Sequence, residues 1–319
     1  MSTDRIPVTI VGGFLGAGKT TLLNRLLSLA HGQRRYAVIV NDFGKLAVDA
    51  SLIEHADEEM LVLSNGCVCC SLAVDLQRGL LKILEECEDL DGIFIETSGV
   101  TRIDALVEEI ERPALAEHVE RRRTVVVVDA ARFPKLTAAI PITREQVASA
   151  NVVLLNRCDL VDGAGRSEAR AAIVAIRPDV PIVETERCNV GFDTLEVPQQ
   201  PSANFHSEAI ETPERWITAQ VTLPEAAETE SVRSAASSLP DEVQRLKGFF
   251  RGPNGEILHV ELAGGTVEIT PWPGRALEGP IGVLVAIGTE TLIEDLNDAF
   301  AEIDGVRVHA DDATTSHDH

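Results

Sequence analysis

The stretch Gly12-Gly-Phe-Leu-Gly-Ala-Gly-Lys-Thr-Thr21 decides the fold. It contains Gly13-x4-Gly18-Lys19-Thr20, the spacing of a phosphate-binding loop. In such a loop glycines let backbone amides wrap a β-phosphate, the lysine reaches the β- and γ-phosphates, and the hydroxyl ligates Mg2+. The apolar run Val8–Val11 precedes it, and Thr20–Leu29 follows with apolar residues at helical spacing. A strand that runs through this loop into a helix also turns the helix N-terminus toward the anion. Gly13, Phe14, Leu15, Gly16, Ala17, Gly18, Lys19, Thr20 and Thr21 are therefore the candidate phosphate-binding residues.

Outward from this loop, apolar runs recur at Ala37–Val40, Met60–Leu63, Gly92–Ile95, Thr124–Val128, Val152–Leu155 and Pro181–Val183. Between them lie amphipathic stretches such as Ser71–Glu86 and Ser167–Ile176. Continuous apolar strands separated by helices imply a parallel sheet covered on both faces. The expected fold is α/β, a P-loop NTPase with a mainly parallel, doubly wound sheet, plus a smaller C-terminal α+β domain. The P-loop domain is assigned to residues 1–197 and a Pro-containing linker to 198–213. The second domain spans 214–305, read as strand, helix, three strands and helix, and 306–319 form a polar, disordered tail.

Three further motifs stand where this topology brings strand ends to one edge. Asn156-Arg-Cys-Asp159 follows the run Val152–Leu155 and has the spacing of a guanine reader. There Asp159 accepts from the guanine N1–H and exocyclic amine, Asn156 supports the loop, and Arg157 keeps the usual positive charge. Ile95-Glu96-Thr-Ser-Gly99 offers a carboxylate for the magnesium shell and an amide that senses the γ-phosphate. Lys19, Glu96 and Gly99 are thus the catalytic candidates, with Thr20 and Glu96 for magnesium. Cys67-Val-Cys69-Cys70 brings three soft thiols together, suited to zinc, cobalt or copper(I). Asp42, in Asn41-Asp-Phe-Gly44, can complete that site or ligate Mg2+. Cys87, Cys158 and Cys188 read as structural, and His309, His317 and His319 as a solvated terminus.

Composition narrows the partners. The 319 residues carry 51 acids against 28 bases, a formal charge of −23. Residues after 200 are more acidic than those before, which argues against nucleic acid or an anionic membrane. No apolar run approaches a membrane span and no secretory signal is visible, so a cytoplasmic location is expected. Six cysteines are too few for a disulfide scaffold, leaving the clustered thiols to metal or redox chemistry.

Taken in order, residues 12–21, 41–44, 67–70, 96–99 and 156–159 resemble the CobW-like family of GTPase metallochaperones, relatives of urease and hydrogenase maturation proteins. Arg245-Leu-Lys-Gly248 and Val285-Ala-Ile-Gly288 are similar to its C-terminal segments. The resemblance implies GTP hydrolysis coupled to delivery of a divalent metal from Cys67, Cys69 and Cys70, with Asp42 assisting; slow turnover is expected because no Gln or Arg finger is identifiable for positioning water. GTP, Mg2+ and Zn2+ (or Co2+) are the implied cofactors. A metal-dependent client would dock on the C-terminal domain of a monomer or weak homodimer. Asp42 stands for the family's Glu, Lys45 for its usual acid, and Val100-Thr-Arg-Ile103 for its Leu-Ala-Asp-Pro. Two other readings remain open: a small-molecule kinase on the same loop, and a non-catalytic zinc sensor or buffer.

Overall fold

The computed structural model describes residues 5–41, 62–65, 72–87, 89–195, 216–273, 277 and 280–310. They belong to two compact units, one before residue 196 and one after residue 215. Cys67, Cys69, Cys70, Asp42, Lys45, the linker and His317 and His319 lie outside the described residues.

The first unit holds β1 (Ile6–Gly12), β2 (Tyr36–Asn41), β3 (Val62–Asn65), β4 (Gly92–Glu96), β5 (Val119–Asp129), β6 (Val152–Asn156) and β7 (Ile182–Glu184). They form one sheet in the order β3-β2-β4-β1-β5-β6-β7, paired parallel throughout. The expected runs at Val8–Val11, Ala37–Val40, Gly92–Ile95, Thr124–Val128 and Val152–Leu155 lie in these strands, β7 takes up Ile182 and Val183 of the seventh, and of Met60–Leu63 only Val62 and Leu63 are among the described residues. Its helices are α1 (Lys19–Ala30), α2 (Leu72–Glu86), α3 (Ile103–Ile110), α4 (Pro113–Ala116), α5 (Phe133–Ala139), α6 (Pro141–Ala148), α7 (Gly163–Ile176) and the short α8 (Phe192–Leu195).

Strand alternation divides the core in two. Ile10, Ile39, Ile95, Val126 and Leu155 pack with Leu80 of α2, Leu106 of α3 and Ile173 of α7. Their neighbours Val11, Val38, Phe94, Val127 and Leu154 pack with Leu22, Leu23, Leu26 and Leu27 of α1. All five residues of β4 and of β6 are buried, as a sheet covered on both faces requires. Because β1 lies between β4 and β5, the chain winds one way from β1 to β2 and the other way from β4 to β5. Ligands of such sheets bind outside the strand C-termini at that reversal.

The second unit contains β8 (Ile217–Thr222), α9 (Thr229–Ser237), β9 (Val243–Arg251), β10 (Ile257–Ala263), β11 (Thr266–Pro271), β12 (Val283–Gly288), α10 (Leu292–Ala299) and β13 (Arg307–Ala310). Its sheet, in the order β11-β10-β9-β12-β8-β13, is antiparallel between neighbouring strands. Here the sequence reading needs two corrections. Among the described residues four strands, not three, lie between the helices. Gly264 and Gly265, both with positive φ (67° and 73°), make a two-residue hairpin that starts β11, a largely exposed strand whose Val267 and Ile269 give little apolar signal. The assigned tail also begins too early. Residues 307–310 pair with β8, and Val306 and Val308 pack on the core of this unit.

Candidate functional site

The phosphate loop is shaped by three glycines with positive φ: Gly13 at 133°, Gly16 at 73° and Gly18 at 111°. A Cβ on Gly13 would collide with the backbone carbonyl of Val127. One on Gly18 would lie 2.7 Å from Asn156 Nδ2 and 3.2 Å from Cys188 Sγ. Glycine is demanded here by both space and backbone conformation.

Several carbonyls of this loop are held by neighbouring side chains and by α1. Lys19 Nζ donates to Phe14 O at 3.2 Å, Arg132 Nη1 to Leu15 O at 3.2 Å, and Asn156 Nδ2 to Ala17 O at 3.0 Å. Gly18 O accepts from Leu22 N at 2.9 Å and from Cys188 Sγ at 3.4 Å. In a trans peptide the N–H points opposite to its carbonyl, so pinning the Leu15, Ala17 and Gly18 oxygens aims the amides of Gly16, Gly18 and Lys19 the other way. The pinned carbonyls orient a nest of donors at the N-terminus of α1, the arrangement that binds polyphosphate.

The strand ends supply the remaining groups. Glu96, Asp129 and Asn156 are the last residues of β4, β5 and β6, and each is nearly fully buried. Register aligns Glu96 with Val11 and Asn156 with Asp129. Thr20 Oγ1 donates to Glu96 Oε1 at 2.7 Å, joining the two residues expected at magnesium. A hydroxyl and a carboxylate beside Lys19 are a hard oxygen donor set that fits this ion. Gly99 backs directly on the loop, since a Cβ there would lie 2.5 Å from Leu15 N, and Gln146 Nε2 holds its carbonyl at 3.0 Å.

Asn156 joins two loops. Besides donating to Ala17 O, its Oδ1 accepts from the Cys188 N–H at 3.0 Å. Asp159, in a 3-10 turn three residues on, is exposed. Arg157, at φ 60°, turns its guanidinium to Asp129 Oδ2 at 3.1 Å. Val100-Thr-Arg-Ile103 is well ordered by local bonds: Thr101 N donates to Ser98 O at 3.1 Å, and Arg102 pairs with Asp104 at 2.8 Å. The Arg102 guanidinium and the Ala105 N–H hold the Asp104 carboxyl below its ordinary range, against the opposing effect of burial.

Sequence reading missed four contributors. Asp129 ends β5, Arg132 follows it and Gln146 lies in α6, and none of them belongs to a motif. Cys188 was read as a structural singleton, yet it sits against Gly18 and Asn156, with burial pushing its thiol up to about 12. A non-glycine pair with positive φ, Arg187 at 49° and Cys188 at 52°, marks this loop as constrained. Among the described residues no group of three or more His, Cys, Asp or Glu is placed to hold a metal ion. No helix among them is long and apolar enough to cross a membrane.

A glycine loop opening α1, a Thr–Glu pair beside it and an Asn-x-x-Asp turn at the next strand end define a P-loop nucleotide-binding protein. The chain belongs to the CobW/HypB/UreG nucleotide-binding domain family, whose model matches residues 7–184. The zinc chaperone CobW of Pseudomonas aeruginosa is 34% identical over 230 residues, covering 60% of this chain and 59% of that protein. The zinc chaperone YjiA of Escherichia coli is 32% identical over 180 residues, covering 55% of this chain and 56% of that protein. The chain thus spans little more than half the length of these relatives. The crystal structure of Zn(II)-bound YjiA GTPase aligns with 94% of this chain and 99% of that one, at 22% identity and a TM-score of 0.48.

Proposed function

We propose that this chain is a GTP-hydrolysing metallochaperone. It binds GTP on residues 13–21 with Asn156 and Asp159, and carries zinc, with cobalt next in preference, on Cys67, Cys69, Cys70 and Asp42. The observation that supports the nucleotide assignment most directly is the pair of hydrogen bonds made by the Asn156 side chain. One side chain ties the phosphate loop at Ala17 to the loop at Cys188, next to the exposed carboxylate of Asp159. A carboxylate acceptor there suits guanine, which presents paired donors that adenine lacks. The metal assignment rests on three thiols within four residues and on the zinc named for two relatives.

In this reading Lys19 exchanges the Phe14 carbonyl for the β- and γ-phosphates, and the amides aimed inward by the pinned carbonyls take up their charge. Thr20 and Glu96 would hold Mg2+, which neutralises charge on the phosphates. The Gly99 amide senses the γ-phosphate, and Gln146 fixes that turn through its carbonyl. No Gln or Arg is placed by sequence motif to position water, in keeping with slow intrinsic turnover. The γ-phosphate orders the segment that starts at Asp42 and so gathers the metal ligands; its loss releases the ion to a cytoplasmic client docked on the C-terminal unit. Coupling of this kind is reciprocal, so metal binding strengthens GTP binding by the same factor.

Zinc and cobalt competition titrations of the reduced apo-protein test this, with Mg2+ and a non-hydrolysable GTP analogue in one arm and with GDP in the other. Tight binding in the GTP-analogue arm alone, lost in Cys67→Ala and Cys70→Ala, is the expected result. Equal binding in both arms would detach the thiols from the switch.

A further inference from the structure

The turn that carries Asp159 is held through its backbone. Among the described residues none hydrogen-bonds to the Asp159 carboxylate, so where that group stands depends on the chain around it. Arg157 enters the turn at φ 60° and ψ 34°, left-handed backbone that residues other than glycine rarely adopt. That reversal bends the chain from the end of β6 into the 3-10 turn Cys158–Leu160, closed by Leu160 N donating to Arg157 O at 3.0 Å. Cys158 ties the turn to its neighbours: its N–H donates to Thr185 O at 3.2 Å and its Sγ to Leu155 O at 3.1 Å. Neither of these two bonds reaches Arg157, whose conformation is the unfavourable one.

Asp129 supplies the missing hold. Register sets it beside Asn156 at the ends of β5 and β6, and Ala130 N extends that pairing to Asn156 O at 2.9 Å. The nearly fully buried Asp129 carboxylate uses both its oxygens. Oδ1 accepts from the Ala131 N–H at 2.9 Å, and Oδ2 accepts from Arg157 Nη1 at 3.1 Å. A buried carboxylate is stable only with a cation or donors against it, and the partly exposed Arg157 side chain reaches inward to provide one. The residue that takes the left-handed backbone is thereby anchored to β5 by its own side chain. The same aspartate opens the turn to Arg132, whose N–H donates to Asp129 O at 3.3 Å and whose guanidinium holds Leu15 O of the phosphate loop.

We propose that Asp129 is a positioning residue for base recognition: through Arg157 it sets where the Asp159 carboxylate stands, and with it the preference for guanine. This assignment rests on the guanine-nucleotide reading above and adds to it a residue that acts without contact to the base. Guanine presents two donors side by side, N1–H and the exocyclic amine, and a carboxylate must meet both at once. Hydrogen bonds weaken steeply with misalignment, so the carboxylate has to be placed closely. Hypoxanthine keeps the N1–H and lacks the amine. A turn free to drift cannot hold both bonds, and the advantage of guanine over hypoxanthine shrinks. If Arg157 served only to stack on the base, its loss would weaken the two rings alike.

Calorimetric titration of the full chain with GDP, IDP and ADP in the presence of Mg2+ gives the test. The parent should hold GDP about tenfold or more tighter than IDP, the worth of one charge-assisted bond, and tighter than ADP. Asp129→Asn keeps an acceptor for the Ala131 N–H and removes the charge that Arg157 meets. In it the ratio of GDP to IDP affinity should fall to roughly threefold or less. Arg157→Ala, at a partly exposed position, should lower the ratio in the same way and answers the question if Asp129→Asn fails to fold. Arg157→Lys can still offer the single donor that Asp129 Oδ2 receives, so it should restore most of the ratio. A parent-like ratio in the folded variants, whatever their GDP affinity, would overturn the proposal and leave the guanine reading in place. A parent that bound ADP as tightly as GDP would overturn the guanine reading and this proposal with it.

Discussion

The two sheets of this chain place their polar side chains by different rules. In the parallel sheet both faces are apolar along most of each strand, so the polar groups of the nucleotide edge gather where the strands stop. Glu96, Asp129 and Asn156 each occupy that last position, and they converge on one edge because every strand points the same way. In the antiparallel sheet Arg245, Lys247, His259 and Glu261 stand in mid-strand, on the opposite face from Leu246, Phe250, Leu258 and Val260. Arg245 Nη2 meets Glu261 Oε1 at 3.1 Å. Lys247 lies between Glu261 of β10 and Val285 of β12, so the two C-terminal segments singled out by sequence run side by side. A concentrated site should fail sharply when one residue changes, whereas a distributed face should respond by degrees.

The largest effect is therefore expected at Gly18. Alanine there must adopt a φ near 111° and press its Cβ against Asn156 Nδ2. Strain and displacement together should cost the bound state about 3 kcal/mol, roughly a hundredfold in guanine-nucleotide affinity. Anisotropy of a fluorescent GDP analogue measures this, and a loss below threefold would break the picture of a rigid loop. Asn156→Ala comes next. It strips the buried Ala17 carbonyl and Cys188 amide of their shared partner, at about 1–3 kcal/mol in urea unfolding and about tenfold in nucleotide affinity. Unchanged affinity with lowered stability would make Asn156 a structural tie alone.

That contrast also decides what was legible beforehand. Gly13, Lys19, Thr20, Glu96 and Asn156 could be read because a parallel fold places chemistry at strand ends, directly after apolar runs that sequence displays. Cys188 could not, since its position depends on a loop closing over Asn156 from about thirty residues further on. Arg132 and Gln146 act on backbone carbonyls, a role open to many residue types and so without a motif. The β-bulge in β5, where Arg121 pairs with Val8 and Arg123 with Thr9, leaves in the sequence only a run of three arginines, which reads equally well as a solvated face. In the antiparallel unit a two-glycine hairpin and a late edge strand escaped for the same reason: β11 and β13 are mostly exposed and carry little apolar signal.

A smaller effect belongs to the antiparallel face. The Arg245 side chain is 9% exposed and that of Glu261 31%, so the pair is partly screened. A double-mutant cycle of Arg245→Met and Glu261→Gln should give a coupling of about 1 kcal/mol or less in unfolding, with nucleotide affinity unchanged. A change in nucleotide affinity would show that this face reports to the site, and the contrast between the sheets would fail.

The smallest effect should come from Asp104, at the start of α3, where the Val100–Ile103 segment leaves the nucleotide edge. Burial alone would raise its carboxyl, but Arg102 and the Ala105 N–H outweigh it, so the folded state binds the proton less readily than the unfolded chain. The sign follows from that order. The carboxylate contributes stability at neutral pH, above the unfolded value near 4, and loses it as pH falls through the lower folded value. Nearly half of this side chain is exposed, so solvent limits the contribution to a few tenths of a kcal/mol. Urea unfolding of the parent and of Asp104→Asn at pH 7 and pH 3 should show a slightly steeper acid loss in the parent. Identical acid losses would mean that Arg102 merely lies over Asp104. The order of Val100–Ile103 would then rest on the Thr101–Ser98 turn and the burial of Ile103.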